Sequence, residues 1–264
     1  MTKNIFIATT EPYSGKSLVS LGIVNMLLGK ARKVGYFKPI INYDPKEKKD
    51  PHIDTIIQHF NLPIAYNDAY AFTRRQVMRQ LEGENRGELI DTIIRKVKGM
   101  EETYDFTVIE GSDFVGEGAA FEFETNMTIA KNLSAPVVVV ISGDGKTTAQ
   151  VINVVQTTVR NFRAREVHVL AVVVNKVKAD QADDVHELLQ PQFSNGTILA
   201  VIPENKDLHS PTMKEIWERV GGKLLFGEQH LSNQVDNFVT GAMQVPRFLN
   251  YLKENLLIVT PGDR

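Results

Sequence analysis

The stretch Ile5-Phe6-Ile7-Ala8-Thr9-Thr10-Glu11-Pro12-Tyr13-Ser14-Gly15-Lys16-Ser17 decides the fold. Its apolar residues at 5–8 read as a buried strand and residues 16–30 as a helix, so Gly15-Lys16-Ser17 falls at a strand-to-helix junction. A glycine, a lysine and a serine at a helix head supply what a phosphate needs. They are backbone N–H groups at the positive helix end, a cation, and a hydroxyl suited to Mg2+. Thr10, Ser14, Gly15, Lys16 and Ser17 are therefore the candidate phosphate-binding set. The match to the full glycine-lysine loop is partial, because Thr9 or Thr10 stands where its first glycine belongs. The competing reading is an ordinary helix start, capped by Ser14 or Ser17, with Lys16 in solvent.

Working outward, the alternation continues. Strands are expected at 33–39, 105–110, 136–141, 167–174 and 198–202, with helices at 88–100, 126–133, 147–161 and 181–189. Strands alternating with helices of this length predict a mostly parallel sheet covered on both faces, with ligands at the carboxyl ends of the strands. Past Pro203 the rhythm changes: a helix at 211–220, a break at Gly221-Gly222, a short strand at 223–226, a helix at 246–252 and a strand at 256–260. This second piece is a small, partial α/β segment, and the expected division is 1–208 and 209–264. The turn Pro261-Gly262-Asp263-Arg264 directly after the last strand would leave that strand without a crossover partner. The natural protein is accordingly expected to continue.

Composition narrows the chemistry. The 264 residues hold 30 Lys and Arg against 32 Asp and Glu without long like-charge runs, which speaks against nucleic-acid or membrane partners. Cysteine is absent, which excludes disulfides, thiolate metal sites and cysteine nucleophiles. The start shows no secretory signal and the apolar runs are too short to span a bilayer, so a cytoplasmic location is expected.

Three further positions fall at strand ends. Lys38, in Tyr36-Phe37-Lys38-Pro39, would emerge at the rim of the first loop, either facing an anion or solvated. Glu110, in Val108-Ile109-Glu110-Gly111-Ser112, is placed to hold Mg2+ together with Ser17 and Asp54. The alternatives are a buried hydrogen-bonded Glu110 and a helix-start Asp54. Asn175, in Val174-Asn175-Lys176, carries an amide able to pair with an adenine edge.

Together these residues, with the Ile202-Pro203 turn, resemble the dethiobiotin synthetase family of P-loop proteins over about residues 3–205. The run Asn126-Met127-Thr128-Ile129-Ala130-Lys131-Asn132-Leu133-Ser134-Ala135-Pro136 is closer still to the N-terminal, synthetase-like domain of long-form bacterial phosphate acetyltransferases. Leu225-Phe226-Gly227-Glu228, Val239-Thr240-Gly241-Ala242-Met243 and Val259-Thr260-Pro261-Gly262-Asp263-Arg264 resemble the beginning of the DRTGG domain that follows it.

The resemblance implies a P-loop NTPase-like fold and a regulatory or assembly module. Its ligand would be ATP or another purine nucleotide with Mg2+, or a metabolite effector. It also implies a homo-oligomer, with a C-terminal catalytic domain of the parent exchanging acetyl groups between acetyl-CoA and phosphate. Two other readings stand beside it. One is an ATP- and Mg2+-dependent dethiobiotin synthetase, in which Lys16 and Lys38 act on the phosphates and carbamate. Asp113 and Phe114, beside the Glu-Gly pair, and Ile40-Ile41-Asn42, where that family has a serine, argue against it. The other is a non-catalytic oligomerisation scaffold.

Overall fold

A computed structural model of the chain describes residues 3–42, 48–82, 86–112, 119–193, 196–205 and 210–262. The chain divides into two compact units, Met1–Glu204 and Asn205–Arg264.

The first unit is a seven-stranded parallel sheet in the order β3-β2-β4-β1-β5-β6-β7. Its strands are β1 (Asn4–Thr9), β2 (Val34–Ile41), β3 (Tyr70–Thr73), β4 (Phe106–Glu110), β5 (Val137–Ser142), β6 (Val169–Val177) and β7 (Ile198–Pro203). Its helices are α1 (Lys16–Leu28), α2 (Pro51–Phe60), α3 (Arg74–Glu82), α4 (Arg86–Thr103), α5 (Ala119–Asn132), α6 (Thr148–Ala164) and α7 (Ala182–Leu189). The inner strands lack the polar alternation of a half-exposed sheet because helices cover both faces. Every residue of β1, β2 and β5 is buried. Successive residues feed opposite cores. Phe6, Ala8, Phe37, Ile109, Val137 and Val139 join one, while Ile5, Ile7, Tyr36, Val108, Val138 and Val140 join the other.

Three elements escape the periodic pattern. α2 opens with a polar cap: Asp50 accepts hydrogen bonds from the backbone N–H groups of His52 and Ile53, and Pro51 occupies the first turn. Such a cap contributes about 1 kcal/mol. β3 is a four-residue edge strand, only half-buried along its length. The highly charged α3 follows it directly.

The second unit contains α8 (Met213–Val220), β8 (Asn237–Thr240), α9 (Val245–Phe248) and β9 (Leu256–Val259). Thr212 and Glu215 form a reciprocal capping box at the head of α8, and Gly221 ends that helix in the left-handed region at φ 68°. β8 and β9 pair in parallel, joined through α9 and a 3-10 turn at Leu249–Tyr251. The pairing corrects the expectation that the last strand lacks a partner, because the partner lies upstream in a segment with little apolar periodicity. Residues 223–226 form no strand, and the helix expected at 246–252 is one short turn followed by the 3-10 turn. Among the described residues, no helix is long and apolar enough to cross a membrane.

Candidate functional site

Parallel strands bring their carboxyl ends to one rim, and β1 lies where the order turns, with β4 on one side and β5 on the other. The loop leaving β1 is held there from two sides. Asn175, at the end of β6, donates its Nδ2 to the Ser14 carbonyl at 2.9 Å, and Lys176 Nζ donates to the Tyr13 carbonyl at 2.8 Å. Glu11 accepts from the Ser142 N–H at 3.1 Å and from Lys146 Nζ at 2.9 Å. Tyr13 at φ 58° and Gly15 at φ 85° give the loop its sharp curl. A Cβ at Gly15 would stand 2.1 Å from Asn175 Nδ2, so this position needs glycine for space as well as for conformation. Gly15 is the N-cap of α1 and has no side chain to occupy the first amides of the helix. Ser14 Oγ is buried and, among the described residues, has no hydrogen-bond partner.

Around this loop the structure gathers a charged cluster. Lys16 Nζ lies 2.7 Å from Glu110 Oε1, with both side chains buried. The second oxygen of Glu110 accepts from Tyr36 Oη at 2.9 Å, and His52 Nδ1 lies 2.8 Å from the first. Burial alone would raise the Glu110 pKa. The Lys16 charge, the His52 hydrogen bond and Lys38 outweigh it and hold the carboxyl well below the usual range. Lys38, also buried, donates to Asp50 Oδ2 at 3.1 Å. Ser17 Oγ rests on the His52 ring, 3.0 Å from Nδ1 and 3.2 Å from Nε2.

Above the cluster opens a cavity of about 620 Å3, whose lining includes Ser14, Lys16, Ser17, Lys38, His52 and Arg74. Among the described residues, the lining cations Lys16, Lys38, Arg74 and Lys176 face the lining acids Glu11 and Asp50, with the buried Glu110 behind Lys16. Such a surplus of positive charge in a concave site favours an anion.

The structure thus brings Ser14, Gly15, Lys16, Ser17, Lys38, Glu110 and Asn175 to one rim, with Thr10 half-buried in the same loop. Asp54 goes elsewhere. One turn along α2 from the cap, it pairs with Lys49 at 3.1 Å, and Asp50 lines the cavity instead. The Asn175 amide serves the loop backbone in this structure. His52, Asp50, Tyr36 and Arg74 join the site without having been marked by the sequence. The Asp50-Pro51 pair was the available signal, since Asp followed by Pro opens a helix and so fixes where His52 faces. Asp113 and Phe114 lie outside the described residues.

The fold and the curled loop at its first strand define a P-loop NTPase-like domain. The AAA domain family model matches residues 3–212, and the chain belongs to that family. A DRTGG domain model matches residues 215–264. Over its whole length the chain is 37% identical to a phosphate acetyltransferase of Nitratidesulfovibrio vulgaris and 32% identical to one of Synechocystis sp.. It spans 38% of the length of each of these relatives. A GTPase from Pyrococcus abyssi in apo form superposes at a TM-score of 0.46 with 16% identity, covering 74% of this chain and 75% of that one.

Proposed function

We propose that this chain is a ligand-binding regulatory or assembly module of a phosphate acetyltransferase, in which other sequence converts acetyl-CoA and phosphate to acetyl phosphate and CoA. The cation-rich cavity beneath an open helix head carries this reading, together with end-to-end similarity to relatives of that name. The ligand is a phosphate-bearing small molecule, ATP or another purine nucleotide. Its phosphates meet the first amides of α1, Lys16 and Lys38, and the buried Ser14 hydroxyl, without a partner among the described residues, offers a further donor. Residues 1–208 form the P-loop domain and 209–264 the beginning of the DRTGG-like domain, in a cytoplasmic homo-oligomer.

The test uses the longer protein that carries this segment. ATP is expected to change its acetyl-transfer rate or its sedimentation, and Lys16→Met to abolish that response. A wild-type protein indifferent to nucleotide in both assays, or acetyl transfer by the 264-residue chain alone, contradicts the proposal.

A further inference from the structure

We propose that His52 occupies the place a divalent cation would need in this pocket, so that the phosphate-bearing ligand binds without metal. The inference rests on the phosphate-binding reading above and goes beyond it by specifying the state in which the ligand is taken.

Magnesium demands near-octahedral oxygen ligation and accepts protein carboxylates and hydroxyls in that shell. The two groups best placed to supply it are Ser17 Oγ and Glu110. A single imidazole lies against both, 3.0 Å from the hydroxyl and 2.8 Å from the carboxylate. Imidazole nitrogen is itself a poor ligand for so hard an ion. Glu110 is engaged on both oxygens, with Lys16 and His52 on Oε1 and Tyr36 on Oε2.

Among the described residues, the neighbouring acids Asp50, Asp54 and Glu11 are engaged as well. Asp50 caps α2 with Oδ1 and takes Lys38 on Oδ2. Asp54 pairs with Lys49, and Glu11 with Lys146 and the Ser142 amide. A metal would therefore have to break contacts that the protein already makes to these described carboxylates. Among the described residues, no cluster of three or more histidines and acids suits a metal.

Charge neutralisation, the other task of a metal on a phosphate chain, is supplied by side chains. Lys16, Lys38, Arg74 and Lys176 line the cavity. A metal-free polyphosphate carries more negative charge than its magnesium complex and matches this wall better.

The test is calorimetric titration of wild-type chain and His52→Ala with ATP and with inorganic tripolyphosphate, each in EDTA and in excess Mg2+. The wild type is expected to bind in EDTA at least as tightly as with Mg2+. In His52→Ala, with Ser17 released and Glu110 freed of its imidazole contact while keeping Lys16 and Tyr36, the preference shifts toward Mg2+ by about tenfold. His52→Asn provides a second variant should the alanine protein not fold.

Wild-type binding that requires Mg2+ overturns the inference while leaving the phosphate pocket intact. Metal-independent binding that is unchanged in the His52 variants removes His52 as its cause, and with it the inference. If neither probe binds in either buffer, the phosphate-binding reading fails and the inference with it.

Discussion

Lys16 Nζ and Glu110 Oε1 meet at 2.7 Å with both side chains withdrawn from water, so the loop that leaves β1 is fastened electrostatically to the end of β4. A buried ion pair is costly to form, and removing one member costs more than removing both, because the survivor keeps its desolvation penalty. Glu110→Gln is expected to lower stability by about 3–5 kcal/mol. The double substitution Lys16→Met with Glu110→Leu is expected to lower it by less. Urea unfolding followed by circular dichroism checks the order, and a double variant less stable than Glu110→Gln contradicts it.

The same carboxylate sets an acid limit. Its folded pKa lies well below the ordinary value, so folding favours its ionised form. The resulting stabilisation is fully present above the unfolded carboxylate pKa of about 4.3 and is lost as pH falls toward the lower folded value. Stability measured between pH 6 and pH 3, roughly the window that brackets that pKa, is expected to fall less steeply in Glu110→Gln than in wild type. Parallel curves contradict the assignment.

Gly15 and Asn175 are coupled by contact. Gly15→Ala places a methyl group 2.1 Å from Asn175 Nδ2 and forces a non-glycine residue to φ 85°. The combined cost is expected to exceed about 2 kcal/mol. Asn175→Ala removes the clash but not the strain, so the double variant should recover part of the loss. Thermal melts of the four proteins give the coupling energy, and strict additivity contradicts it.

In the second unit, the chain's single tryptophan, Trp217, sits on α8 and donates its indole N–H to the Gly222 carbonyl at 2.6 Å. Thr212→Ala removes the capping box and is expected to cost about 1 kcal/mol. The loss is read as an earlier denaturation midpoint in tryptophan fluorescence. An unchanged midpoint contradicts the role of the cap.

How far the sequence carried these features depends on which force fixed each one. The inner strands were legible because burial on both faces leaves unbroken apolar runs such as Val137-Val138-Val139-Val140. The loop at Gly15-Lys16-Ser17 was legible because phosphate chemistry restricts the residue types. α2 and β3 were not, since one opens on polar capping residues after a lysine-rich run and the other is a short edge strand whose residues are only half-buried. The sequence marks Asp54 and not Asp50, although both are carboxylates near a helix start. Only the folded cap shows that Asp50 turns inward to Lys38 while Asp54 turns to Lys49. His52 carried no signal beyond the Asp50-Pro51 helix start beside it. Its place is set by the meeting of α2 with residues 17 and 110, which are far away along the chain.

The central claim is that the first turn of α1 and its loop hold phosphate. Backbone 15N–1H spectra recorded during titration with ATP test it most directly. The account predicts that the amides of Ser14, Gly15, Lys16 and Ser17 shift first and furthest in wild type, and that Lys16→Met weakens the titration by about tenfold or more. Amides of that turn that stay still at saturating nucleotide, or shifts confined to another face of the protein, would contradict it.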